Sequence, residues 1–328
     1  MSLQRFILKR LIAIIPILFG VSLITFALVH LTPGDPVDQM IGLNPDVTAA
    51  EEAQIRASLG LDLPVWEQYL VWVTDVLQGD FGVEYSTGRE VSSIIAARLP
   101  ETIVLGIFGW VFALVIAIPT GIYAAVRKDQ LGDTVSRIVA LSGISIPNFW
   151  LGLILIVIFA LWMGRIDHPV ANFFQFSVTA PSREPLYSWE MLRYLILPGI
   201  TIGTASAAAL MRVMRTSMTE EMNKEYVTAA RAKGLPERTV ILKHVLRNSL
   251  ISVVKLAATL TAGIVSGSVV VEVVFSWPGL GREFIEAING REINMILGIT
   301  LFTGIFIILA NLVADILYAV LDPRIRYE

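Results

Sequence analysis

Two carboxylates lie in or beside long apolar runs of the 328-residue sequence, where they could bind or carry protons. Glu272 ends one run and Asp315 lies inside another. An ionisable side chain within a membrane is costly to bury, so both are candidate intramembrane ionisable sites. Glu272 is near enough to one end of its run to reach the membrane surface, and Asp315 lies about one and a half turns from the other end. A structural role is therefore the favoured interpretation for both.

Other constellations that carry chemistry are missing from the sequence. It contains no G-x-x-x-x-G-K-[ST] phosphate loop, no H-E-x-x-H zinc pattern and no cysteine. The run GLGREF at 279–284 lacks the third glycine of a dinucleotide-binding fingerprint, and Asp80-Phe81-Gly82 has no kinase catalytic loop beside it. None of His30, His168 and His244 has a ligand residue three or four positions away. We therefore predict no catalytic, cofactor-binding or metal-binding residue in this chain.

The composition is that of an integral membrane protein. Hydrophobic residues make up 55% of the sequence, charged residues only 16%, and mean hydropathy is +0.69. A soluble domain carries about 25% charged residues. The net charge of −3 gives no indication of a nucleic-acid partner. We expect the chain to be surrounded by membrane lipid.

Six apolar segments are long enough to cross a membrane, which takes roughly 20 residues as a helix. They are, with approximate bounds, 11–31, 102–126, 134–163, 194–213, 250–271 and 293–320. The first is too long for a signal peptide and is followed by HLTPGDP rather than a small-residue cleavage site, so it is interpreted as a retained anchor. The fold class expected is an all-α polytopic membrane protein with six transmembrane helices.

The basic residues predict the orientation of these spans. Seventeen of the 25 lysines and arginines lie in the segments 1–10, 124–137, 212–255 and 321–328, which alternate with more acidic segments. Positive charge marks the cytoplasmic side, so both termini are expected in the cytoplasm of a multi-pass cell-membrane protein. An even number of spans agrees with that placement.

The organisation expected has three parts. Residues 1–31 form the N-terminal tail and first span, 32–101 an extracytoplasmic subdomain, and 102–328 a five-helix core that contains a cytoplasmic segment, 216–249. Within the subdomain, helical spacing places a set of apolar residues on one predicted face: Trp66, Tyr69, Leu70, Val73 and Leu77. This surface could receive a soluble partner or merely cap the spans. Spans four and five are rich in small residues, which either pack helices closely or line a path.

The cytoplasmic segment contains EYVTAARAKG, residues 225–234. Tyr226, Ala230 and Gly234 are spaced to share one helical face, with Glu225 and Ala229 in the neighbouring row. Small side chains there would let another protein approach closely. Gly234 suits a helix end and the proline two residues later suits the start of another helix. The sequence predicts a short helix, an elbow and a second helix.

At these residues the chain resembles the permease subunits of ATP-binding-cassette importers, in the dipeptide and oligopeptide branch. That family has an E-A-A-x-x-x-G motif, matched by Ala229, Ala230 and Gly234, whereas Thr228 stands at the position of its glutamate. Further segments resemble the branch in order along nearly the whole chain: LTPGDP, LGLDLPVWEQYL, GDFG, GISIPNFWLGL, VFSWPGLGREF and DILYAVLDPRIRY.

The resemblance implies a function and a set of partners. The chain would form half of the pathway of an importer for di- or oligopeptides or similar solutes, without being an enzyme itself. A second homologous permease, two ATPase subunits that bind ATP and Mg²⁺, and an extracytoplasmic substrate-binding protein are the expected partners. The ATPase-coupling residues would be Glu225, Tyr226, Ala229, Ala230 and Gly234.

The resemblance also places one segment, SWPGLGREFIEAI, near the outer mouth of the pathway. Pro278, Gly279 and Gly281 are therefore candidate gate or pathway residues. The alternative function is a proton-coupled secondary transporter that needs no ATPase and depends on Glu272 and Asp315.

Overall fold

The structure is a computed structural model, and it describes residues 3–31, 37, 48–58, 60–162 and 189–321. The first half of the described chain contains α1 (Leu3–Leu31), α2 (Ala49–Ser58), α3 (Val65–Leu77), α4 (Val91–Val126), α5 (Leu131–Ser145) and α6 (Asn148–Leu155), the last continued by π-helical Ile156–Trp162. The second half contains α7 (Trp189–Met222), α8 (Glu225–Ala232), α9 (Glu237–Thr239), π-helical Val240–Val245, α10 (Leu246–Val274), α11 (Leu280–Asn289) and α12 (Ile293–Leu321). The only β pairing among the described residues is an isolated bridge between Val83 and Glu90. The predicted all-α class is confirmed.

Several helices are long and apolar enough to cross a membrane. Within the part of the chain that the structure describes, four qualify singly, namely Ile12–Leu31, Val91–Val126, Met191–Met222 and Ile293–Val313, and α5 with α6 qualifies as a bent pair. Helix α10 covers the predicted fifth span, although the side chains of residues 262–267 lie outside the described ones. The chain is thus an all-α polytopic membrane protein, and the number six remains a prediction.

The predicted third span is bent rather than straight. The axes of its two helices differ by 106° across a short break. Ile146 is extended there, with φ −81° and ψ 122°, and Pro147 follows with φ −60° and ψ 137°. Proline lacks an amide hydrogen and disfavours a helical conformation in the residue before it, so the helix cannot run through.

The chain forms two compact units. The first contains the described residues within 1–100 and 279–309, and the second those within 101–278 and 310–321. One core of the first unit packs Val91, Ile94 and Ile95 of α4 with Met295 and Ile296 of α12, all of them buried. The predicted organisation, with boundaries near residues 31 and 101, divides the chain by its expected position relative to the membrane and stays a prediction.

Helix α3 buries only part of the face predicted for it, together with Trp72. Tyr69 and Trp72 are buried, whereas Trp66 and Leu70 are 63% and 54% exposed. The buried face packs against Phe26 of α1, and the Tyr69 hydroxyl lies 2.9 Å from the Ser22 hydroxyl. Because α3 carries apolar residues almost all round, its own periodicity does not specify which face meets the core.

Small residues bring α4 and α7 close together in the second unit. A Cβ atom added to Gly203 would lie 2.5 Å from the carbonyl oxygen of Gly109 and 2.7 Å from Cδ1 of Phe112. Such contacts are the usual way in which membrane helices pack. For this part of the predicted fourth span, close packing is therefore the role of the small residues.

A buried ion pair joins the start of α5 to the C-terminal half of α7. Arg215 donates Nε and Nη2 to the two carboxylate oxygens of Asp133, at 2.5 and 2.6 Å. The Asp133 side chain is 1% exposed, and its Oδ2 also accepts the backbone N–H of Asp129 at 3.0 Å. This bidentate geometry compensates for removing both charges from water.

We predict that Gly203→Ala destabilises the chain by about 1–3 kcal/mol, because the added methyl group would force the two backbones apart. The free energy of unfolding in detergent, measured by denaturant titration, checks this. Gly20→Ala is the matched control, since a Cβ there would meet no atom within 4 Å. The control is expected to be neutral or stabilised by up to about 1 kcal/mol. Equal stability of the two variants would contradict the close approach.

Candidate functional site

The helix predicted from residues 225–234 is α8. Lys224 precedes it in an extended conformation, with φ −79° and ψ 150°. Beyond the helix Gly234 adopts φ +74°, in the left-handed region that side chains disfavour. Pro236 then precedes the single turn of α9. The predicted succession of helix, elbow and second helix is confirmed.

The two sides of α8 are different in environment. Val227 and Ala230 are 0% and 7% exposed and belong to a core that includes Val240 and Val245 of the following π-helical segment. Ala230 therefore faces this chain's own core, and the single face predicted for Tyr226, Ala230 and Gly234 is divided. The exposed residues of the helix include Glu225, Thr228, Ala229 and Ala232. A partner protein would meet this second surface, which we call the outer face of α8.

Tyr226 links α8 to the helices on either side of it. Its hydroxyl donates to Oε2 of Glu221, near the end of α7, at 2.5 Å. The same oxygen accepts Nδ2 of Asn248, in α10, at 2.9 Å. Partial burial of the hydroxyl and its bond to Glu221 raise the pKa of Tyr226. The sequence pattern singled out Tyr226 but neither Glu221 nor Asn248, whose roles depend on the folded elbow.

Two ion pairs flank the helix. Lys224 pairs with Glu221 before it, and Arg231 donates to both oxygens of Glu237 across the elbow, at 3.1 and 2.7 Å. The hydrogen bond from Arg231 holds the pKa of Glu237 below its usual value. Both residues of the second pair are about half exposed, so its contribution to stability is small.

The side chain of Glu272 is fully buried within the chain. Its Oε1 accepts the hydroxyl of Thr102, in α4, at 3.0 Å. Its carbonyl oxygen accepts the backbone N–H of Trp277 at 2.8 Å, and Trp277 Nε1 in turn donates to the carbonyl of Glu101 at 3.0 Å. These bonds join α10 and the turn after it to α4, and the role of Glu272 stays a prediction. The backbone of Asp315 lies in α12, and its side chain is outside the described ones.

The candidate gate residues follow α10. Pro278 follows the buried Trp277 and is the last residue of the 101–278 segment of the second unit. In the first unit, Gly279 precedes α11 with extended backbone, and Gly281 is buried in its first turn. Their part in a gate remains a prediction. Among the described residues, no three metal-ligating side chains converge.

Two family models match the sequence. "Binding-protein-dependent transport system inner membrane component" matches residues 117–327, which is more than half of the chain. "Binding-prot-dependent transport system membrane comp, N-term" matches residues 3–106. The chain belongs to this permease family.

Similar proteins cover the whole length. The chain is 36% identical over 326 residues to the oligopeptide transport system permease protein AppB of Bacillus subtilis, covering 99% of this chain and all of that one. It is 37% identical to the dipeptide transport system permease protein DppB of Escherichia coli K12 over 338 residues. It is 38% identical to the glutathione transport system permease protein GsiC of the same strain over 324 residues. Coverage is 99% of both chains in each of the last two comparisons.

Membership makes this permease a transport subunit of an ATP-binding-cassette importer in the inner membrane, as the sequence motifs implied. It is a transport component rather than a catalytic one. The comparisons support this class and not the proton-coupled alternative.

We predict that Tyr226→Phe loosens the elbow without unfolding the chain. Losing the hydroxyl removes the bonds to Glu221 and Asn248, and a net loss of about 1 kcal/mol makes local opening about fivefold more frequent. Tryptic cleavage after Lys224 should accelerate by that factor. Thr228→Val, on the outer face of the same helix, is the control and should leave the rate unchanged. An unaltered rate in Tyr226→Phe would show that the hydroxyl does not hold the elbow.

Proposed function

We propose that the permease forms one half of a transmembrane pathway that imports di- or oligopeptides or similar solutes. An extracytoplasmic binding protein would deliver the solute, and a second homologous permease would form the other half. The names of the similar proteins, which specify oligopeptide, dipeptide and glutathione transport, support the peptide class. ATP hydrolysis would take place in two partner subunits, which bind ATP and Mg²⁺, since this sequence contains no phosphate loop.

The proposed topology has six spans and both termini in the cytoplasm. The helices that qualify as spans, together with α10, account for the six apolar segments. The basic segment between α7 and α10 then lies on the cytoplasmic side, where ATP is available. This orientation places α8 toward the ATPase subunits and the 32–101 segment outside.

The outer face of α8 is the observation that carries the proposal. It combines small side chains, Ala229 and Ala232, with an exposed carboxylate at Glu225. Burial of Val227 and Ala230 fixes the helix to the rest of the chain. A helix that is anchored on one side and lined by small residues on the other is suited to fit into a groove of the ATPase.

Movement of α8 would pass to the spans through its own contacts. Tyr226 holds Glu221 on α7 and Asn248 on α10 through a single oxygen atom. When ATP closes the ATPase subunits, displacement of α8 would shift both helices and change the accessible side of the pathway. The coupling is then a difference in binding free energy between two states of the pathway. Pro278, Gly279 and Gly281 are the proposed outer gate that responds.

We predict that Ala229→Trp prevents transport while leaving membrane insertion intact. The indole would cover the outer face and keep the ATPase from making its central contacts there. Loss of such contacts weakens binding by about 30-fold or more. Recovery of ATPase subunits with the purified permease and ATP-dependent peptide uptake into vesicles are the two measurements. Gly234→Trp is less informative, because any side chain at φ +74° also strains the backbone.

Lys128→Trp is the control for this variant. It adds the same side chain at an exposed residue of the turn between α4 and α5, which is also predicted to lie on the cytoplasmic side. It should retain both the ATPase subunits and uptake. Normal uptake by Ala229→Trp would refute docking at α8. Uptake that ceases when the proton gradient is collapsed but persists without ATP would refute the importer mechanism as a whole.

A further inference from the structure

A groove of about 370 Å³ runs along the second unit between α5 and α7, apart from the coupling segment. Its lining includes Arg137, Ile138, Leu141 and Ile144 from α5 and Met211 and Arg212 from α7. None of these residues has a part in the function proposed above.

Two of the lining residues bring positive charge that no ion pair with a described residue matches, although Asp133 also lies within electrostatic range of Arg137. Arg137 and Arg212 are both exposed, and neither forms an ion pair with a described residue. Arg215 also lines the groove, but its charge is matched by the bidentate contact with Asp133. The same contact occupies Asp133, so the groove has an excess of two positive charges.

The remaining lining is apolar and turned outward. Ile138 and Leu141 are 60% and 63% exposed, and Ile144 is 42% exposed. They lie on a helix that, with α6, qualifies as a membrane span. Side chains of this kind in a membrane protein are in contact with acyl chains rather than with water. The groove thus combines two exposed arginines with an apolar lining.

We propose that this groove binds an anionic phospholipid, with Arg137 and Arg212 holding the phosphate of the headgroup and the isoleucines and Leu141 lining an acyl chain. Arginine forms several charge-assisted hydrogen bonds to one phosphate, and basic grooves between membrane helices select anionic headgroups. A zwitterionic lipid also carries an ammonium group, which two guanidinium groups disfavour. A protein partner would have to supply carboxylates and an apolar ridge together.

The inference is independent of α8. It uses the proposed orientation only to assign the cytoplasmic leaflet, since Arg212 lies in the half of α7 that leads to the coupling segment. Loss of ATPase docking would leave lipid binding unaffected, and the two proposals therefore fail separately.

Native mass spectrometry of the purified permease, with any co-purifying subunits, tests the site. After delipidation the sample is titrated with phosphatidylglycerol, with phosphatidylcholine and with inorganic phosphate. The double variant Arg137→Gln/Arg212→Gln should bind phosphatidylglycerol about 30-fold more weakly, as expected for about fivefold per arginine. Phosphatidylcholine should bind weakly to both forms.

Arg193→Gln is the matched control. Arg193 is an exposed arginine on the same helix, about 28 Å from Arg212 along its axis. This variant should bind phosphatidylglycerol like the original chain. Equal affinity in the double variant, or displacement of the lipid by inorganic phosphate at comparable concentration, would overturn the proposal.

Photocrosslinking in native membranes distinguishes lipid from protein. Benzoylphenylalanine in place of Ile138 should give an adduct with the mass of one phospholipid. An adduct with a polypeptide would instead assign the groove to a neighbouring subunit and overturn the proposal.

Discussion

The close approach of α4 and α7 is the contact on which the second unit depends. Lipid removes the hydrophobic drive that brings helices together in water, so attraction between spans rests on how near their backbones can come. At Gly203 and Gly109 they come as near as atoms allow. Helix α7 continues without a break to Met222, and it carries Arg215 and Glu221 on the way. The buried ion pair and the contact from Glu221 to α8 are thus both made by a helix that this crossing holds in place.

The helices could be predicted well from the sequence, because length and apolarity alone decide whether a segment can cross a membrane. The side that each helix buries could not be predicted. Trp66 and Leu70 are apolar like Tyr69 and Trp72, and contacts with residues far along the chain, Phe26 and Leu297 among them, decide which pair is buried. The same holds for Glu272. Its burial depends on Thr102, which is 170 residues away in sequence.

The candidate coupling site was likewise predictable only in part. Its helix and elbow were predictable because a glycine and a proline determine backbone geometry where they stand. The inward side of α8 was not, because it is set by packing on Val240 and Val245 beyond the elbow. Nor was the bond from Asn248 to Tyr226, 22 residues apart. Family comparison supplied the class of function, which neither periodicity nor packing specifies.

Each of the three small residues of the Ala-Ala-x-x-x-Gly motif is required for a different physical reason. Ala230 is buried, so a larger side chain there would have to displace the chain's own core, and Ala229 must be small only if something outside comes close. Gly234 is constrained by handedness alone, because a Cβ there would meet no atom within 4 Å. Asparagine, which adopts left-handed backbone more readily than other side chains, is therefore the natural exchange at 234 and a poor one at 230. Substitutions at 230 and 234 would therefore affect folding of the chain, and those at 229 only the contact with a partner.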